Sequence, residues 1–179
     1  TMNSVTLIHV TSSINEGQIL ENGLTPSFYS KQDVAKRIQL LLPNLNTSIL
    51  LEQVLAANCG ASALLRARLN DNIARLSFMS ETSDKYYKNI CDCVKDGGEF
   101  FTAVRKALEV VTSTQIPVPY PDAYPIICKA NFPIYFDDKD CCYIDMSDQA
   151  EDISLPDQRH IEISLTVNLS RDRFSMQEV

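Results

Sequence analysis

"LIHVTSSINEGQILENGL", residues 7–24, carries three signals in one short stretch. Leu7 to Val10 is an apolar run of strand length. The hydroxyl-rich step Thr11, Ser12, Ser13 then opens a helical segment. Ser13 is placed to cap that helix, Glu16 follows three residues later as in a capping box, and Gly23 can end it. The reading is strand, capped helix, glycine stop, with His9, one of two histidines in the chain, at the strand's end. A lone imidazole there is most often structural. Here three hydroxyl side chains follow it, and a ring nitrogen and hydroxyls converging on one loop suit a ribose or phosphate.

Downstream, Val34, Ile38 and Leu41, then Ile49, Leu50 and Val54, recur at helical spacing between Lys31 and Asn72, broken by "PNLN" and "NCG". Two or three helices are expected there. "ARLSFMS" (74–80) predicts a strand, and "SETSDKYYKNICDCVKDGG" (80–98) a capped helix ending at Gly97 or Gly98. Glu99 to Thr112 predicts a further helix, with Phe100, Val104, Leu108 and Val111 on one stripe. The four prolines between Pro117 and Pro125 mark the one linker-like piece, beyond which "YPIICKA", "PIYF" and "CYIDM" predict short strands. In "IEISLTVNL" (161–169) the apolar residues alternate without a break, the period of a half-buried strand, which turns Glu162 away from the core.

The chain has 179 residues, 45% of them hydrophobic, which favours one domain with a proper core. No apolar run approaches the roughly 20 residues of a membrane span, and "NSVT" after Met2 lacks the basic start of a secretory signal. A net charge of −7, with acids concentrated between Phe136 and Asp152, disfavours nucleic acid as a partner. Six cysteines without that signal point to reduced thiols in a cytoplasm. The Cys91/Cys93 and Cys141/Cys142 pairs lack the C-x-x-C spacing of structural zinc, and no metal is expected.

Residues 7–24 resemble the opening of ADP-ribosyltransferases of the diphtheria-toxin and poly(ADP-ribose)-polymerase type, where a strand ending His-x-Thr or His-x-Ser leads into a helix closed by Gly-Leu. DNA-targeting toxin members and RNA 2′-phosphotransferases have similar openings. By this resemblance His9 would hold a ribose hydroxyl of NAD, and backbone at Val10 and Thr11 the nicotinamide amide. "RLSFMSETSDKYYK" is similar to the family's second block, in which a tyrosine stacks on nicotinamide. Tyr86 and Tyr87 compete for that role, with Tyr86 favoured because it lies three residues past Ser83. The third block is a glutamate on a late strand, and Glu162 matches it as the catalytic carboxylate, with Glu178 in reserve. These blocks cover about 45 residues; Val10 stands where a glycine is commonest, and residues 31–72 have no counterpart.

The expectation is an α+β fold with an ADP-ribosyltransferase-like split mixed β-sheet, a single domain over residues 2–179 with a helical insertion at about 31–72. The function implied is transfer of ADP-ribose from NAD to a macromolecular acceptor, more in keeping with protein than nucleic acid, with release of nicotinamide. The resemblance to toxins is compatible with delivery into a host cell. The rival readings are an inactive relative or helical adaptor that binds protein, and an RNA-end phosphotransferase, which would want a basic groove.

Overall fold

The computed structural model describes residues 3–80, 84–136, 142–144, 150–157 and 160–178, and for some of these, Tyr86, Tyr87 and Glu162 among them, the backbone alone. Ser83 lies outside the described residues. The strands are β1 (Asn3–Ser12), β2 (Leu76–Met79), β3 (Pro125–Phe136), β4 (Cys142–Ile144), β5 (Ala150–Asp157), β6 (His160–Leu165) and β7 (Phe174–Glu178). The helices are α1 (Glu16–Asn22), α2 (Lys31–Leu41), α3 (Thr47–Ala56), α4 (Gly60–Asn70), α5 (Asp84–Asp92) and α6 (Glu99–Thr112), with 3-10 turns at Ser13–Asn15, Val94–Asp96 and Arg171–Arg173. Among the described residues no single helix is long and apolar enough to cross a membrane.

The α+β class holds, with one open sheet in the order β4, β3, β1, β2, β6, β5 and with β7 beside β3. Every described ladder is antiparallel, where a mixed sheet was expected. The connections explain this. β5 hands over to β6 through residues 158–159, too short for a parallel crossover, and β3 begins beside the end of β1, at the pair Ser12–Pro125, so it runs back along it. "YPIICKA" and "PIYF" are one strand rather than two. On the edge of β3 away from β1, β7 ends at Ala130 and β4 begins at Ile134, so Pro133, which has no N–H to give, falls between them.

Both faces of β1 are covered, which is why Leu7 and Ile8 are consecutive and both buried. On one face Leu7, Phe78, Cys128 and Ile163 pack with Ile19 of α1. On the other, Ile8, Val10 and Ile127 pack with Met79 and with Ile90 and Cys91 of α5. The helices expected between residues 31 and 72 are α2, α3 and α4. Their core is not self-contained: Val34, Ile38, Val54 and Leu65 close on Val104 and Leu108 of α6, and Tyr29 stacks on Phe100 at 3.9 Å. Ser30 and Asp33 form a capping box that starts α2.

Three boundaries differ from the sequence reading. Ser13 does not cap α1. Its N–H donates to the Tyr124 carbonyl (2.9 Å) and its Oγ accepts from the Tyr124 N–H (3.0 Å), so the chain first makes a 3-10 turn capped by Ser12. Helix α5 stops at Asp92, and the carbonyls of Val94, Lys95 and Asp96 accept from Ser12 Oγ, the Tyr120 N–H and the Arg37 guanidinium instead of continuing it. β6 ends at Leu165 rather than Leu169, since Leu169 leaves the sheet to exchange two 2.9 Å backbone hydrogen bonds with Leu24. Gly23 does end α1, at φ 74°, where an added Cβ would lie 2.3 Å from the Leu169 carbonyl oxygen.

Candidate functional site

β1 pairs with β3 along its length, yet among the described residues it meets β2 at a single register pair, Ile8 with Met79. Beyond that pair, described residues 9–12 make no ladder with 75–78. The sheet is therefore open at a seam, and His9 spans it: Nδ1 lies 2.8 Å from the Ser77 carbonyl oxygen, and the ring sits 5.7 Å from that of Phe78. A carbonyl can only accept, so Nδ1 carries the hydrogen and the neutral ring keeps Nε2 as an acceptor. Burial pushes the His9 pKa below its usual 6.5, against the smaller opposing pull of the Ser77 hydrogen bond. The side chain at this seam is a neutral imidazole.

Thr11, two residues on, is partly buried, and its Oγ1 accepts from Asn15 Nδ2 at 3.2 Å, which leaves the hydroxyl hydrogen to donate elsewhere. Val10 turns the other way, into the apolar face beneath α5, so only its backbone is available at the seam. Ile90 and Cys91 of α5 pack on that face, and Tyr86 and Tyr87 stand one helical turn before them in the chain. Their side chains lie outside what is described. The same holds for the Glu162 side chain, but its register is fixed opposite Met79, itself opposite Ile8. By strand spacing, the Glu162 backbone is about 10 Å from β1. His9 belongs to the adjacent line of residues, with Cys128 across β3. The fold therefore separates the predicted residues: alternation along β1 puts His9 and Thr11 on the sheet face of Leu7, Phe78 and α1, whereas the register row of Glu162, through Met79 and Ile8, belongs to the face covered by α5.

Glu178, at the end of β7, is in register with Ile126 and through it with Thr11, two strands and about 10 Å from β1; it is exposed, with Oε1 accepting from the Tyr124 hydroxyl at 3.1 Å. That contact raises the Tyr124 pKa above its usual 10.0. A shallow hollow between Ser27, Arg68 and Arg75 touches none of the predicted residues, and its cations are paired, Arg75 with Asp71 at 3.2 Å and Arg68 with Glu99 at 3.5 Å. Among the described residues no group of histidine, cysteine and acidic side chains is placed to hold a metal.

Ser12, expected among the hydroxyls converging on a ribose or phosphate, is instead taken into the interior. It is 1% exposed, and its Oγ donates to the Val94 carbonyl at 2.7 Å, tying the end of β1 to the turn after α5. A buried serine 82 positions from its partner leaves no periodic signal. No family model matches the chain, and no curated protein or solved structure is significantly similar to it.

Proposed function

We propose that the chain is an NAD-dependent ADP-ribosyltransferase that passes ADP-ribose to a macromolecular acceptor, a protein rather than a nucleic acid given the −7 charge. The observation that carries this reading is the His9–Ser77 contact at the open seam, which leaves a neutral imidazole acceptor beside a threonine hydroxyl. A ribose offers adjacent hydroxyls that can donate to Nε2 and accept from Thr11. In the reaction the bond from the ribose C1′ to the nicotinamide nitrogen breaks and its electron pair leaves with nicotinamide. The acceptor's nucleophile bonds to C1′ and gives up its proton. Positive charge builds on the ribose as the bond opens, and the role assigned to Glu162 is to stabilise it with a fixed carboxylate. Tyr86 or Tyr87 covers the nicotinamide ring.

The test is thermal stabilisation by NAD. Wild type should melt higher with NAD present, and His9→Ala should lose most of that shift while keeping its own melting temperature within a few degrees. Wild type unmoved by saturating NAD would remove the proposal. The second reading, a protein-binding helical module, is favoured by Leu40, Leu45 and Ile49, each about half exposed around the α2–α3 corner. It takes over if NAD does not bind.

A further inference from the structure

The buried apolar side chains fall into two sets that do not meet. Helices α2, α3, α4 and α6 close on one another around Val34, Ile38, Val54, Leu65, Val104 and Leu108. The cores on the two faces of the sheet, one built on Leu7 and Phe78 and the other on Ile8 and Ile127, share no residue with that helical core. Among the described residues Val94 is the one buried apolar side chain outside all three.

What joins the two sets is mostly polar. Ser27 and Arg75 exchange backbone hydrogen bonds of 3.0 and 3.3 Å, where the chain enters the helical block before α2 and where it returns to β2 after α4. Ser12 Oγ of β1 donates to the Val94 carbonyl at 2.7 Å, and Ser13 holds Tyr124 where the chain goes back to β3. The Val94–Asp96 turn itself belongs to the block. The Asp96 carboxylate, 1% exposed, is gripped at both oxygens by Arg105 of α6, at 2.7 and 2.9 Å, and the Asp96 carbonyl accepts from Arg37 of α2. Ile14 lies against Gly97 at this joint but stays 42% exposed. Apolar burial, the main source of cooperativity, is thus complete within each set, whereas hydrogen bonds at the joints can be exchanged for water at small net cost.

We infer that the helical block, with the Val94 turn, and the sheet, with α1 and α5, are two cooperative units latched by these hydrogen bonds, so that one opens while the other stays folded. The joints, not the cores, are where the chain comes apart first. The inference does not rest on the NAD site and stands or falls separately from it.

The test is native-state amide hydrogen exchange of the full chain in urea below its unfolding transition, without ligand. Amides of Ile38, Val54, Leu65 and Leu108 should converge on one opening curve and those of Leu7, Ile8 and Cys128 on another, with rates at least about tenfold apart. Leu65→Ala and Ile163→Ala each open a cavity in one core, at residues 0% and 1% exposed, and should speed exchange within that unit at least about thirtyfold. At least one of the two should leave the amides of the other unit within about threefold of wild type. A single curve for all these amides in wild type overturns the inference, and so does equal acceleration of both sets by both variants. If a variant fails to fold, the wild-type curves decide.

Discussion

The His9 imidazole and the Ser77 carbonyl, 2.8 Å apart across a gap in the backbone ladder, fix the tautomer of the ring, while burial favours its neutral form against the pull of that hydrogen bond. A hydroxyl-accepting role needs the neutral ring, and the fold supplies it by burial.

The pH behaviour follows from the direction of the shift. His9 in the folded chain titrates below 6.5, so the unfolded chain binds the proton more readily in the interval beneath that value. Its contribution to stability is full above pH 6.5 and is lost as pH falls from 6.5 through the folded value. NMR titration of the two histidine ring protons, assigned with His9→Gln, should give a His9 midpoint below 6.5. A midpoint above it would mean the ring is not desolvated.

Tyr86 and Tyr87 should separate. Neighbours on a helix point about 100° apart, so they cannot cover the same ring. One alanine substitution should raise KM for NAD by about tenfold, as for a lost aromatic stack, and the other should lower the melting temperature with NAD kinetics intact. Equal small losses in both would contradict a stacking role for either.

Two substitutions probe the frame rather than the site. Ile163→Ala opens a cavity at a residue 1% exposed and should cost about 2–5 kcal/mol. Gly23→Ala places a Cβ against the Leu169 carbonyl at a positive φ and should cost at least about 1 kcal/mol, by breaking the Leu24–Leu169 bridge that turns the chain toward β7. Urea denaturation measures both. An unchanged midpoint for Gly23→Ala would show that this bridge does not hold the chain's end.

What was legible in the sequence is what local periodicity encodes. Helix α6 runs from Glu99 to Thr112 as its stripe predicted, β2 lies within "ARLSFMS", and Gly23 ends α1. What local pattern could not show was competition from distant partners. Tyr124 takes the Ser13 hydroxyl that would have capped α1, Leu24 draws Leu169 out of β6, and three carbonyls of the Val94 turn pair with three other elements instead of extending α5. β5 and β7 were missed because neither stands out in local alternation. At the site, His9 and Thr11 were visible as types at a spacing. The seam itself was not, since it is the absence of a ladder between two strands about 70 residues apart.

The most direct test of the account is nicotinamide release from NAD by wild type, Glu162→Gln and Glu178→Gln, with NAD binding measured for each. Glu162→Gln keeps shape and removes only the anion opposite the developing charge. The account predicts that wild type releases nicotinamide, that Glu162→Gln binds NAD but turns it over at least about a hundredfold more slowly, and that Glu178→Gln stays near wild type because its carboxylate is engaged by the Tyr124 hydroxyl. Equal turnover by wild type and Glu162→Gln would contradict the catalytic assignment, and no binding or release by wild type would contradict the enzyme.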